Sequence, residues 1–413
     1  MRMRSAGIAV GTALALGLTA CGGDTGPATT DESIDFDGTL VIWTDEERAD
    51  SLQAVVEEFA TANNIEIEVN GIAQDLQDAF VTASEQGEGP DILVQAHDWI
   101  GNLVQNGTID PVPLTEEQQS AINPDALRAV TYDGQIYGTP YAMENLALIR
   151  NTELAPDEPA TIEDMVATGQ DLKAAGDVED VLSIEVSADG NPYNAYPFYA
   201  SGGGYLFGMD ESGTYDPSDL GLDQPEAVEA FEKLAWLGEE EAMKTSMGAE
   251  QAIPMFAEGK TAFLVAGPWA MNQINTAGID YEISPIPAFD GGEKATPFVG
   301  TQTFFVASKG KNKAFAQEFV TDFITGTDLA TKLYESDPRP PANIEAAAAA
   351  GASDPNMEKF LAAGEGGYIL PAIPEMQAVW EPFGRAQAAV ISGDDVETAV
   401  EAAAKAINDA ING

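Results

Sequence analysis

The chain has 413 residues and a hydrophobic fraction of 44%, enough for one large folded domain or two of ordinary size. Acids outnumber bases 69 to 18, a formal charge of −51. Such a surface excludes nucleic-acid binding through phosphates, which needs a basic face, and speaks against docking on an anionic membrane through protein charge. From the amino end, Arg2 and Arg4 precede an apolar run over residues 6–18 that is too short to span a bilayer as a mature helix. Residues 22–38 are polar and lack periodicity, as a flexible tether does. Folding is predicted to begin with a short buried strand at 39–43. Leu52, Val55, Val56 and Phe59 then fall at helical spacing, and residues 65–69 alternate as a strand. A helix on Leu76, Ala79, Phe80 and Ala83 leads to a strand at 91–94 and a further helix on Trp99, Ile100, Leu103 and Val104. Alternating strands and helices imply a parallel sheet with helices on both faces.

From Tyr137 the pattern changes, and residues 137–141 and 145–150 read as strands leaving the first domain. Tyr193, Tyr196, Phe198, Tyr199, Tyr205 and Phe207 cluster around a Ser-Gly-Gly-Gly at 201–204. Residues 262–266 are an unbroken apolar run, the signature of a strand buried on both faces. Gly267-Pro268 stops that strand and leaves Trp269 beyond its carboxyl end, where α/β sheets hold their ligands. Trp269 either seals the strand end as core or forms a flat stacking platform beside a cleft; the rest of the chain favours the platform. Residues 298–306 read as a strand returning toward the first domain, and Val396, Val400, Ala403, Ile407 and Ile411 share one face of a terminal helix.

Chemistry is conspicuous by what the residues cannot build. His97 is the single histidine, so a two-histidine zinc site is impossible, and no Gly-x-Ser-x-Gly elbow accompanies it. Neither a Walker loop nor a Gly-x-Gly-x-x-Gly fingerprint occurs. Paired carboxylates are inevitable among 69 acids and by themselves say little about glycoside hydrolysis. No catalytic residue, no metal and no cofactor are expected.

Two resemblances supply what composition does not. Leu18-Thr-Ala-Cys21-Gly-Gly is similar to the bacterial lipoprotein signal, which implies removal of residues 1–20 and lipid on Cys21, the only cysteine. Loss of Arg2 and Arg4 makes the mature chain more acidic still. From residue 39 onward, Leu40-Val-Ile-Trp43, Gly89-Pro-Asp-Ile-Leu93, Ala96-His-Asp98, Ala142-Met-Glu144, Asn191-Pro-Tyr193, Gly267-Pro-Trp269, Pro297-Phe-Val-Gly300 and Ile373-Pro-Glu-Met-Gln377 resemble, in order, segments of maltose/maltodextrin-binding proteins of ABC importers.

The resemblance implies an α/β, two-lobed periplasmic-binding-protein-like fold, each lobe a mainly parallel sheet flanked by helices, with the ligand cleft between. Residues 39–142 and 301–349 would form the N-terminal lobe, and 143–300 and 350–413 the C-terminal lobe. Asp98, Glu144, Tyr193, Trp269 and Trp380 match positions that touch sugar in that family, and Glu47 and Arg48 match an acid–base pair after the first strand. Rings suit the apolar faces of a sugar, while ionised carboxylates accept from its hydroxyls. Four matched positions depart from the family: Gln95 replaces an aromatic, Trp99 an arginine, Asn191 an acid and Glu381 a tyrosine. Trp99 either restores the missing ring or packs as core on its helix. The implied protein is a monomeric, lipid-anchored solute-binding protein on the extracytoplasmic face of the membrane, delivering malto-oligosaccharide to an ABC permease. Another α-glucoside such as trehalose or cyclodextrin, or an exported glycoside hydrolase, are the alternatives.

Overall fold

A computed structural model of the protein describes residues 38–210 and 213–413. The leader, Cys21 and the tether as far as residue 37 lie outside the described residues. Fourteen strands are described: β1 (Thr39–Asp45), β2 (Glu66–Ile72), β3 (Ile92–Ala96), β4 (Ile109–Asp110), β5 (Thr131–Tyr132), β6 (Gln135–Ile136), β7 (Thr139–Asn145), β8 (Ala147–Asn151), β9 (Phe207–Met209), β10 (Tyr215–Leu220), β11 (Phe263–Ala266), β12 (Tyr281–Ser284), β13 (Phe298–Ala307) and β14 (Tyr368–Ile369).

The first sheet runs β14-β13-β3-β1-β2, with β4 and β7 also on β13. β1 pairs parallel with β2 and β3, as strand–helix alternation requires. The helix Glu46–Asn63 between β1 and β2 starts at Asp45, whose side chain accepts from the Arg48 N–H, and ends at Asn64 in a left-handed conformation. β13 enters antiparallel to β3 and β7, so the strand read as returning to the first domain does return there. Side chains alternate between two cores on the sheet's faces: Ile92 and Val94 enter one, Leu93 the other.

The second sheet has three strands in the order β11-β8-β12, and both neighbours of β8 run antiparallel to it. This departs from the expectation of a mainly parallel sheet in each lobe. More than a hundred residues separate β8 from β11, so the right-handed single-helix crossover that enforces parallel pairing does not operate here. Phe263 and Val265 face one core while Leu264 and Ala266 face another, which is why the run from 262 to 266 contains no polar residue.

The chain passes between these two assemblies more than once. On β7, Tyr141, Ala142 and Met143 belong to the first sheet's core, whereas Leu146, just past its end, belongs to the second's. At the start of β13, Phe298 is in the second core and Val299 in the first. Asn145, 3% exposed, ties the first crossing down by donating to the carbonyls of Leu146 (3.1 Å) and Phe360 (3.0 Å).

Candidate functional site

A cavity of about 480 Å³ lies between strands of the first sheet and residues packed on the second sheet's core. One wall comes from the carboxyl end of β3 and the turn after it (Gln95, Asp98, Trp99), with Glu144 from β7 and Gln302 from β13. The facing wall comes from the start of the helix Pro192–Ser201 (Asn191, Tyr193, Asn194), from Trp269, and from the helix Gln377–Ile391 (Gln377, Trp380). Eight of the eleven sequence candidates therefore converge on one space. Glu47 and Arg48 line a smaller cavity of about 250 Å³ that shares Trp269. Glu381 is not brought in: its side chain is exposed and holds Arg385 at 2.6 Å on its own helix. One residue beyond Trp380 turns the side chain about 100° around the helix axis, away from the wall that Trp380 occupies.

Trp269 owes its pose to the residues before it. A Cβ on Gly267 would lie 2.0 Å from the Trp269 ring, so the ring rests directly on glycine backbone. The Tyr193 ring sits 6.2 Å from Trp269 and 5.7 Å from Phe298, and Phe298 meets Trp380 edge-on at 6.3 Å. Phe298 is fully buried, so it fixes the two cavity rings from behind. Trp269 and Trp380 are half-buried and pack against the core while lining the cavity. Trp99 does the same on the opposite wall, resting on the first sheet's second core.

The acceptors are unequal. Glu144 is held on both oxygens, Oε1 by Gln302 Nε2 (2.7 Å) and Oε2 by Arg339 Nε (3.0 Å). Arg48 pairs with Asp45 at 2.8 Å and donates to Gln302 Oε1; Arg339 pairs with Asp337. A continuous polar network thus runs from Asp45 to Asp337 beneath the cavity. Burial works against the charge on Arg48, but Tyr141, Asp45 and Glu144 outweigh it and raise its pKa. Asp98, 5% exposed, has no ion-pair partner among the described residues. Burial pushes its carboxyl up to about 7; its own backbone N–H pulls it partly back, and the charge on Glu144 adds to the rise. The reading of Asp98 as a simple ionised acceptor is corrected accordingly: near neutral pH it is shared between acid and carboxylate.

His97 is structural. It is fully buried, with Nε2 2.8 Å from the Leu370 carbonyl and Nδ1 accepting from the Thr301 N–H at 3.1 Å. These partners place the proton on Nε2, and burial lowers the ring's pKa to about 4. Asn191 caps its helix by accepting from the Asn194 N–H (3.1 Å), so its side-chain oxygen is already engaged.

Two polar atoms of the cavity residues are buried without a hydrogen-bond partner among the described residues, Tyr193 Oη and Gln377 Nε2. Burial, with Glu144 and Asp98 nearby, raises the Tyr193 pKa well above its ordinary value, so the hydroxyl keeps its proton to donate. A larger cavity of about 820 Å³, bounded by Tyr132, Tyr215 and Tyr368, lacks this feature. There, Tyr368 donates to the Phe207 carbonyl at 2.8 Å and Tyr215 to that of Ile369. Unmet polar groups make the smaller space the candidate site.

Gln302, Arg339, Gln377, Glu185 and Asn194 were not anticipated from sequence. Thr301-Gln302-Thr303 is a polar interruption in an otherwise apolar strand, and Gln377 closes the matched segment 373–377, both usable signs; Arg339, Glu185 and Asn194 carry no local mark.

The sequence pattern described as bacterial extracellular solute-binding protein matches residues 54–359. A galactooligosaccharide-binding protein of Bacillus subtilis (strain 168) is 27% identical over 95% of this chain and 94% of its own length. A maltooligosaccharide ABC transporter solute-binding lipoprotein of Streptococcus pneumoniae (TIGR4) is 28% identical over 99% of this chain and 97% of its own. A maltotriose-binding protein of Pyrococcus abyssi (strain GE5 / Orsay) is 30% identical over 83% and 75%. With residues 54–359 matched, most of the chain, the protein belongs to the bacterial extracellular solute-binding protein family.

Proposed function

We propose that the protein captures malto-oligosaccharide for an ABC importer and does not hydrolyse it. One observation carries the reading: Tyr193, Trp269 and Trp380 on one wall of the cavity face Asp98 and Glu144 on the other. Rings cover the apolar faces of a pyranose while carboxylates accept hydrogen bonds from its hydroxyls. Lobes 39–142 with 301–349 and 143–300 with 350–413 would close on the sugar about the chain crossings, and the closed form would be what the permease recognises. Lipid on Cys21 would hold the protein at the extracytoplasmic face, since each buried CH₂ contributes about 0.8 kcal/mol to anchoring.

A calorimetric panel of maltose, maltotriose, longer dextrins, cyclodextrins, trehalose and a galacto-oligosaccharide tests the ligand. The names of two relatives favour malto-oligosaccharides, and that of a third makes the galacto-oligosaccharide the runner-up. Tightest binding of maltotriose or a longer dextrin, with no products after long incubation, is the expected result. Preference for the galacto-oligosaccharide would reassign the cleft, and turnover would make the protein an enzyme. For the anchor, Cys21→Ser should abolish incorporation of labelled fatty acid, because serine offers no thiol. Equal labelling of mutant and wild type would refute lipidation at this residue.

A further inference from the structure

We propose that Gln377 is a ligand-contacting, specificity-determining residue, whose side-chain amide donates through Nε2 to an oxygen of the bound saccharide. The inference rests on the sugar-binding reading of the cavity and adds a donor to the residues that the resemblance matched to sugar contacts.

Gln377 is the first residue of the helix Gln377–Ile391, and Trp380 follows one turn later on the same side. Both line the cavity. The helix cap is Met376, with no side-chain cap bond, so Gln377 does not serve the helix start. Its Nε2 is buried and has no partner among the described residues. Leaving an amide donor buried and unpaired is unfavourable, and a protein retains such a group where a partner arrives later.

Two other glutamines, Gln77 and Gln387, also have an Nε2 without a partner. Gln387 has a separate structural task, accepting from the Asn191 N–H at 2.7 Å through Oε1. Neither of these lines the cavity, and Gln377 does.

The surrounding chemistry makes a donor valuable at this spot. Asp98, Glu144 and Glu185 all line the cavity, and carboxylates in ionised form accept only. A sugar hydroxyl can donate to them, whereas ring and bridging oxygens carry lone pairs and no hydrogen. Arg339 is spent on Glu144 and Asp337. Arg48 pairs with Asp45 and Gln302, and although its Nε has no partner among the described residues, Arg48 lines the smaller cavity and not this one. Asn194 Nδ2 is spent on the Glu185 carbonyl. Gln377 Nε2 is an unspent donor, held beside the Trp380 ring on which the sugar would lie.

The test compares wild type with Gln377→Met, which keeps length and helix propensity, and Gln377→Glu, which keeps shape but turns the amide into a fourth carboxylate. Titration calorimetry uses maltotriose or whichever panel sugar binds tightest; melting is measured without sugar. Gln377→Met is expected to weaken binding by about five- to twentyfold, and Gln377→Glu by more. The melting temperature of Gln377→Met should stay level or rise, because an unpaired donor has been removed. A purely structural role would move both readings down together, and that result overturns the proposal. Unchanged affinity in both variants overturns it too, while leaving the sugar-binding function standing if wild type binds. A wild type that takes up none of the sugars removes both.

Discussion

Asp98→Asn is expected to stabilise the ligand-free protein at pH 8 and to lose that advantage as the solution is acidified. The Asp98 carboxyl ionises at about 7 in the folded chain, against an ordinary value of 3.8, because it is buried with no cation beside it. A raised folded-state pKa means the residue's contribution is fully present below the unfolded value and is lost as pH rises through 7. About three units at 1.36 kcal/mol each put the penalty near 4 kcal/mol above pH 7. Asparagine removes the charge and with it the penalty. His97 next door has the opposite sign: its pKa is depressed to about 4, so its contribution is present above 6.5 and is lost as pH falls toward 4. That loss is about 3 kcal/mol. In the wild type the two neighbours offset one another between pH 4 and 7, and Asp98→Asn exposes the His97 slope. Denaturant melts of both proteins from pH 5 to pH 8 measure the difference directly. A variant no more stable than wild type at pH 8, or an advantage that does not shrink toward pH 5, would refute the assignment.

The same substitution should weaken sugar binding. Hydrogen bonds to a charged group are worth about 1.5–3 kcal/mol, which is roughly ten- to a hundredfold in affinity. Wild-type affinity should also fall as pH drops below 7, because sugar hydroxyls favour the carboxylate and acid must give up its proton on binding. Calorimetry in buffers of different ionisation enthalpy would detect the released proton. A pH-independent affinity between 5 and 8 would show that the sugar does not distinguish the two forms of Asp98 or does not meet it. An affinity that rises on acidification would show that Asp98 meets the sugar as an acid. The residue is thus expected to trade folded-state stability for ligand affinity.

Trp269→Ala is expected to damage binding far more than folding. Trp269 is half-buried, with its ring laid on Gly267 and exposed to three cavities. Truncating a fully buried tryptophan costs about 3–5 kcal/mol of stability, and a cavity ring should lose less. The lost stacking should cost about 1–3 kcal/mol of binding, roughly tenfold to a hundredfold. Gly267→Ala approaches the same point from below: its methyl would sit 2.0 Å from the ring and must push it off its seat. Both variants should therefore bind weakly, the second while retaining every aromatic atom. A sharply lowered melting point with intact affinity in Trp269→Ala would make the ring core. Full affinity in Gly267→Ala would show that the ring's pose is immaterial.

What the sequence determined by itself were the features whose causes are local. A strand buried on both faces needs an unbroken apolar run, and residues 262–266 supply it; Gly267-Pro268 ends the strand wherever it lies. Helical spacing placed Leu52, Val55 and Val56 on a buried face, and they are buried. The order of short matched segments brought Asp98, Glu144, Tyr193, Trp269 and Trp380 to one cavity, because collinear motifs on a shared fold land at corresponding places. Other features only the tertiary structure decided. Arg48 and Gln302 are 254 positions apart and meet only because β13 returns beside β3. Strand direction in the second sheet depends on where a long connection re-enters, which periodicity does not encode. The titration of Asp98 depends on how little water and how few cations surround it once both walls are built. Whether a glutamine joins a charge network, holds a backbone amide or keeps an unpaired donor is likewise a matter of neighbours: Gln302, Gln387 and Gln377 are the same residue in sequence and three different ones in the fold.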